Sequence, residues 1–331
     1  LSPDTRFDGW DGCGGYHYSD SIIYGFSHTH LSGTGVPDYG DLLVVPQSGE
    51  AKWKGKFEAP NGYGARFSHE NEAARLGFYE VLLEDENIRV NLSCTERAGM
   101  HQYTFLNANE RKYILLDLNY RDKLLQGSFQ LIDKQNISGM RSSEAWASEQ
   151  HFYFHLTTSI PYIAHELRDQ NGQMKLLLEF PIDTKEVLIK VGMSHVDVAG
   201  AKMNLDAEIP HFSLSRVYNE NLQKWQLEFQ KISLNADRET STIFYTALYH
   251  SMVAPNLMSD ADGRYRGRDQ KIHQLAALSD KQYTVFSLWD TYRANHPLFT
   301  IIDQERSAAY IRTFLRQYEE GGDLPVWELA A

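Results

Sequence analysis

IRVNLSCTE, Ile88 to Glu96, sets Ile88, Val90, Leu92 and Cys94 on one side of an extended chain and Arg89, Asn91, Ser93 and Thr95 on the other. Successive side chains of a strand point to opposite faces, so this alternation predicts a strand with one buried face. FYEVLLEDEN precedes it and ends in an acidic turn, which makes the two runs a hairpin. Runs of the same kind follow: HQYTF, KYILLDLNY, SFQLID, HFYFHLT and KLLLEFPIDTKEVLIKVGMS. Many short strands separated by turn residues predict a large antiparallel β-sandwich over roughly the first 200 residues.

After Ser194 the period changes. VDVAGAKMNLDAEIP, from Val196, predicts a short helix stopped by Pro210. Tyr218, Leu222, Trp225, Phe229 and Ile232 then recur at helical spacing, as in a linker helix docked on a neighbour. ETSTIFYTALYHSMVAPN and DQERSAAYIRTFLRQYEEGG come next. In the second, Ala308, Ile311, Phe314, Leu315 and Tyr318 make an apolar stripe, and Gly321 stands at the C-cap position. The expected division is a sandwich domain over 1–210, a linker-helix region over 211–236, and the first part of a helical domain over 237–331. Two helices with strong apolar faces need packing partners, so this second domain is expected to be incomplete.

A chain of 331 residues has room for two domains and a large core. Its net charge of −12 argues against a nucleic-acid partner, whose phosphates call for basic contacts. Aromatics at 12% suit sugar binding and equally the core of a large sandwich. Cys13 and Cys94 make neither a disulfide framework nor a zinc cluster, and spacing leaves one bridge between them open. No apolar run approaches the ~20 residues that cross a membrane. The chain opens on LSPDTRFDGWDGCGG, without an initiator Met or signal segment, and closes on GGDLPVWELAA, an apolar run entering a packed site. Both ends read as cuts, which leaves targeting open.

SLWDTYRANHPL, Ser287 to Leu298, is the segment richest in chemistry. Asp290 stands between Trp289 and the pair Tyr292–Arg293. A carboxylate beside an indole can hold a sugar: the carboxylate accepts from adjacent hydroxyls while the aromatic face covers the C–H side of the ring. The same spacing also fits an Asp–Arg pair capping a helix, with the Trp in the core. GWDGCGGYHYSD, Gly9 to Asp20, is a Gly-rich aromatic loop able to present Trp10 to a site, or simply a tight sandwich turn. It lacks the spacing of a nucleotide fingerprint. His28 and His30 alternate as on one strand face, as metal ligands or as satisfied structural histidines. Asp260, Asp262 and Gly263 begin like a calcium loop, but no Glu follows at the twelfth position, so a turn is expected.

Taken together, LSPDTRFDGWDGCGGYHYSDS, GFSHTHLSGTG with DYGD, FSHENE, NLDAEI, FYTALYHSMVAPN, FSLWDTYRANHPL and GGDLPVWELA resemble glycoside hydrolase family 92, the calcium-dependent exo-acting α-mannosidases. The motifs span nearly the whole chain in the family's order. The resemblance implies an N-terminal β-sandwich, linker helices and then the beginning of an (α/α)6 barrel, with the active site between the two domains. It implies Trp10 and Asp290 as contacts to the terminal mannose, with Trp289 and Arg293 as supports or further contacts. The family's general acid is expected just after Ala331, in an Asn-Glu-Thr motif, with the general base and calcium ligands further on. No catalytic residue and no metal ligand is therefore expected within this chain, and Glu328 is expected to be buried and structural.

The implied substrates are mannose-containing glycans and the implied reaction is inverting hydrolysis. Family habit implies a secreted, periplasmic or surface-attached bacterial enzyme. A non-catalytic carbohydrate-binding or interaction fragment is the alternative reading, because acid, base and calcium ligands are expected elsewhere.

Overall fold

The strands follow in chain order as β1 (Ser2–Asp4), β2 (Ile22–Ile23), β3 (Gly25–Ser27), β4 (Leu43–Ser48), β5 (Ala65–Arg66), β6 (Glu72–Arg75), β7 (Phe78–Leu83) and β8 (Ile88–Cys94). After these come β9 (Ala98–Phe105), β10 (Lys112–Asp117), β11 (Lys123–Leu131), β12 (Asn136–Glu144), β13 (Gln150–Thr158), β14 (Ala164–Gln170), β15 (Gln173–Phe180) and β16 (Glu186–Ser194). The structure, a computed structural model, describes residues 1–6, 10–33, 35–55, 62–170 and 173–329. Two antiparallel sheets face each other, one ordered β1-β3-β4-β10-β15-β14 and the other β11-β12-β13-β16-β9-β8-β7-β6.

The expected hairpin is present as β7 and β8, with Val81 opposite Val90 and Leu83 opposite Ile88. Ile88, Val90 and Leu92 are buried and Arg89 is exposed. The alternation slips at the strand end: Ser93 is buried, donating to Gly77 O at 2.7 Å, and Cys94 is only half-buried. Both cysteines are free thiols. KLLLEFPIDTKEVLIKVGMS, one run in the sequence, is split between the two sheets as β15 and β16. Pro181 heads the turn between them, its carbonyl accepting from Thr184 N at 3.0 Å; a proline offers no N–H to extend the ladder.

Val44, Ile114, Leu116, Leu176 and Leu178 from one sheet and Val90, Tyr103, Phe152, Phe154, Val187 and Ile189 from the other form one fully buried core. Each such side chain contributes roughly 1.5–3 kcal/mol on leaving water. Leu43, Val45, Tyr113, Leu115 and Leu177 pack with Tyr63 on the opposite side of the six-stranded sheet, so β4 and β10 are buried on both faces.

Helix α1 (Val198–Glu208) starts at Asp197, whose side chain accepts from Gly200 N, and lies on the eight-stranded sheet. Gly192 permits this approach, since a Cβ there would meet Ala201 O at 2.2 Å. Leu205, Ile209, Leu214 and Val217 close over Ala98 and Met100. Helix α2 (Leu214–Phe229) docks on α3 (Arg238–Ser251) through Trp225–Tyr249 and Phe229–Tyr245, with ring centroids 4.8 and 5.6 Å apart. Ile232, placed on this stripe by spacing, lies beyond the helix end.

Two small two-stranded sheets follow, β17 (Asn256–Leu257) with β20 (Tyr283–Thr284) and, between them in the chain, β18 (Arg264–Arg266) with β19 (Ile272–Gln274). The last helices are α4 (Leu288–Thr291), α5 (Asn295–Ile302) and α6 (Gln304–Gly321). The α6 cap is Gly322, at φ +84°, one residue past the expected Gly321. Its buried face is Ala309, Tyr310, Thr313 and Gln317, whereas Ile311, Leu315 and Tyr318 of the predicted stripe face solvent. Thr313 and Gln317 face inward because they meet polar groups there: the Thr313 hydroxyl lies 3.4 Å from Tyr283 N, and Gln317 Nε2 lies 3.4 Å from Glu328 Oε1.

Candidate active site

Trp10 opens a single 3-10 turn, Trp10–Gly12, and stands 68% exposed. The backbone around it is pinned. Trp10 O accepts from Gly35 N at 3.0 Å, Cys13 Sγ donates to Gly33 O at 2.7 Å, and Gly12 O accepts from the Arg121 guanidinium. The loop is a tight sandwich turn, and its indole is exposed.

The two histidines that follow are structural. His28 Nδ1 lies 3.2 Å from Leu42 O, and a carbonyl only accepts, so Nδ1 carries the proton. His28 Nε2 must then accept from His101 Nε2 at 3.0 Å, and His101 Nδ1 accepts from Tyr103 OH at 2.7 Å. Burial keeps both rings neutral, pulling His28 down to about 3 and His101 well below its ordinary value. His30 Nε2 instead lies 3.1 Å from Asp4 Oδ1. Burial alone would raise the Asp4 carboxyl, but His30 beside it, with Arg121 and Ser27, holds it below its usual range.

Beyond His30 the loop reaches the helical part of the chain. Tyr39 and Ala147 from the sandwich pack with Met258, Val285 and Leu329, flanked by Leu31 and Val36. A polar seam continues the contact: Ser194 Oγ donates to Asp260 Oδ2 at 2.7 Å, Asn204 Nδ2 to Asp260 Oδ1 at 2.8 Å, and Arg97 Nε to Ser259 O at 2.7 Å. Burial pushes Asp260 up to about 6 against these donors. The calcium-loop-like stretch is thus a turn, closed by Gly263 N donating to Asp260 O at 3.0 Å, with Asp260 spent on the seam.

The same seam carries the second candidate. Val285 and Ser287 sit at φ +64° and +45°, the left-handed region that costs a non-glycine residue roughly 1–3 kcal/mol. This reversal delivers α4 with Trp289 68% exposed and Asp290 exposed. Trp289 is not a core residue. Asp290 accepts from Ser287 Oγ at 2.5 Å, and Arg293 donates to Tyr292 OH at 3.3 Å. Among the described residues the Asp290–Arg293 cap pair read from spacing is not made. Leu288 N donates to Val326 O at 3.0 Å, which ties α4 to the segment ending in Glu328 and Leu329. Burial pushes the Glu328 carboxyl up to about 7, with Gln317 Nε2 beside it.

Contacts therefore run from Trp10 through Gly35, Val36 and Tyr39 to Leu329 and Val285, and on to α4. Exposed Trp10 stands on a turn tied by backbone to this seam, and exposed Trp289 and Asp290 stand on α4 at its other end; no contact joins Trp10 to Asp290 among the described residues. Among the described residues, no three His, Cys, Asp or Glu side chains are grouped to hold a metal ion.

Sequence reasoning missed a further pair on this seam. Trp146, from the loop between β12 and β13, packs edge-to-face on Trp327, with ring centroids 4.5 Å apart at 78°. They border a cleft of about 620 Å3 that also takes in Arg268, Asp323 and Glu328. A tryptophan inside SSEAWASEQ, a run otherwise of small and polar residues, was the available signal.

The family model for the glycosyl hydrolase family 92 N-terminal domain matches residues 1–194, and that for the family 92 catalytic domain matches 200–331. A family GH92 α-mannosidase from Bacteroides thetaiotaomicron, solved also in complex with mannoimidazole, superposes with a TM-score of 0.92 at 32% identity; the match covers 99% of this chain and 47% of that one. A family GH92 inverting mannosidase from the same species has a TM-score of 0.86 at 23% identity, over 98% of this chain and 45% of that one. An uncharacterized secreted glycosidase from Arthroderma benhamiae is 23% identical over 288 residues, 75% of this chain and 37% of that protein. The chain thus spans less than half the length of these relatives. With both family domains matched in order across the sandwich and the helices, the chain belongs to glycosyl hydrolase family 92.

Proposed function

We propose that the intact enzyme is an exo-acting α-mannosidase that removes terminal α-linked mannose from mannose-rich glycans with inversion. The observation supporting this is the match to both family domains, joined to a seam where Trp10 and Asp290 stand exposed on pinned backbone. In this reading Asp290 accepts from two adjacent hydroxyls of the terminal mannose and Trp10 covers its C–H face. Trp289 and Arg293 support that grip. These groups bind and orient the sugar and exclude water from one side of it.

The bond-breaking carboxyls of an inverting glycosidase stand roughly 6.5–9.5 Å apart, one protonating the leaving oxygen and the other activating water on the opposite face. In this proposal they belong to the intact enzyme beyond Ala331 and lie outside the described residues. Calcium, when bound, would supply a Lewis-acidic contact to sugar hydroxyls. Among the described residues no ligand set for it is gathered. A secreted, periplasmic or cell-surface location is part of the proposal, since one relative is named a secreted glycosidase. Among the described residues no helix is long and apolar enough to cross a membrane.

The test is mannose release from an α-1,2-linked mannobiose by the full-length protein, with calcium and then with a chelator, followed by NMR of the anomer first formed. β-Mannose released only with calcium is expected. No mannose release overturns the activity, α-mannose formed first overturns inversion, and chelator-insensitive release overturns the calcium requirement.

A further inference from the structure

The cleft at Trp146 and Trp327 has the composition of a sugar site rather than of a packing defect. Trp146 is 56% exposed although its ring already touches Trp327. An edge-to-face pair leaves a broad ring face open, and both indoles border the cleft. Neither wall is loose. Buried Asp38 accepts from Trp146 N at 3.1 Å and from Ala147 N at 2.8 Å, and Ala147 is sealed into the seam cluster. On the other side Val326 O holds Leu288 N, and Leu329 is buried in the same cluster. A side chain rigid in its backbone yet open on its face loses little entropy when a ligand stacks on it.

The polar groups fit the same chemistry. Arg268 Nη1 donates to Asp323 O at 2.6 Å, which fixes the guanidinium at the cleft wall. Among the described residues Glu328 Oε2 is buried without a hydrogen-bond partner, and Asp323 adds a second carboxyl to the lining. Hydroxyls can donate to the carboxyls and accept from the guanidinium. A volume of about 620 Å3 lies within the range of roughly 300–1,000 Å3 typical of small-ligand sites. The cleft also adjoins α4, because Trp327 directly follows the Val326 that bonds Leu288.

We infer that this cleft is a glycan subsite in which Trp146 and Trp327, one from each domain, stack on a sugar residue other than the one held by Trp10 and Asp290, and so favour oligosaccharides over simple mannosides. The inference rests on the mannosidase reading. Because one indole comes from the sandwich and the other from the helical part, the subsite exists only while the two are docked. Arg268, Asp323 and Glu328 supply hydrogen bonds to its hydroxyls.

The test uses Trp146→Ala and Trp146→Phe in the full-length protein, comparing kcat/KM on an α-linked mannotriose with that on an aryl α-mannoside. Trp146→Ala is expected to lower the mannotriose-to-aryl ratio about tenfold, and Trp146→Phe to restore most of it. An unchanged ratio, including an equal loss on both substrates, overturns the subsite and leaves the pair as a structural staple. Fluorescence titration with mannotriose separates the two levels of inference. Should wild-type protein release no mannose, the mannosidase reading fails, while saturable quenching that disappears in Trp146→Ala still supports the subsite. Absence of quenching in wild type overturns it.

Discussion

The sandwich and the helices that follow it bury their residues in opposite ways. In the sandwich some charges are enclosed and paired: Arg141, 1% exposed, meets Asp41 and Asp122 and donates to Leu118 O and Ser143 Oγ. Lys175 meets Asp117, which also accepts from Tyr63 OH at 2.8 Å. In α6 the polar Thr313 and Gln317 face inward while Ile311, Leu315 and Tyr318 face water, and in α5 Ile301 is 79% exposed. The sandwich thus closes its own core and makes a stiff frame for the loops bearing Trp10 and Trp146. Among the described residues, the helical part does not close its apolar surface. A frame and a docked, open element are a sensible division where a site lies along the seam between them.

The sharpest way to break this comparison is at Arg141. Arg141→Met leaves Asp41 and Asp122 buried beside an apolar chain, so a loss of roughly 3–5 kcal/mol is expected in denaturant unfolding of the sandwich. A loss below 1 kcal/mol would mean that the frame does not depend on its internal ion pairs.

Asp290→Ala should do the reverse. The side chain is exposed and held by one hydroxyl, so the melting temperature is expected to stay within about 2 °C. Meanwhile kcat/KM of the full-length enzyme on mannobiose is expected to fall about 100-fold or more. A large drop in melting temperature with activity retained would return Asp290 to a helix-capping role.

His101→Phe strips a buried partner from both His28 and Tyr103, which predicts a loss of about 2–4 kcal/mol near pH 7. The pH dependence has a definite sign. His28 is neutral when folded, its value pulled to about 3, and titrates near 6.5 when unfolded. Below 6.5 the unfolded chain binds more protons, so this stability is full above about pH 6.5 and is lost as pH falls toward 3. Asp260 and Glu328, raised to about 6 and about 7 by burial, act oppositely and lose stability as pH rises through those values. His30, His101, His151, His155, His195 and His296 are lowered like His28. The expected balance is a lower melting temperature at pH 5 than at pH 7, with a shallower acid slope in His101→Phe. A rise toward pH 5 would show that the carboxyls dominate.

The smallest effect is expected on the open side. In the 331-residue chain, Ile311→Ser should change stability by less than about 0.5 kcal/mol, as at any exposed position. A loss above 2 kcal/mol would show that this face of α6 is covered after all.

Much of this was legible in the residues. The period-2 runs predicted the sandwich, and the hairpin at residues 78–94 has the register that its alternation requires. The motifs spread along the chain led to the family. Strand β12, NISGMRSSE, was not legible, because its buried residues are polar: Ser138 meets His155 on β13, Arg141 meets Asp41 and Asp122 from loops distant in sequence, and Ser143 accepts from Arg141. The orientation of α6 was not legible either. Spacing locates an apolar stripe, but the neighbours decide whether that stripe or the Thr313–Gln317 face turns inward.

The sequence by itself determined a strand-rich sandwich followed by helices and the change of period after Ser194, and its motifs singled out Trp10 and Asp290 as candidates. These follow from local alternation, caps and short motifs, which need no distant partner. Only the tertiary structure decided which of the two sheets each strand enters, that His28 pairs with His101 across 73 residues, and that Trp146 meets Trp327 beside α4. Those outcomes depend on surfaces brought together from far along the chain, where a side chain's role is set by what it touches.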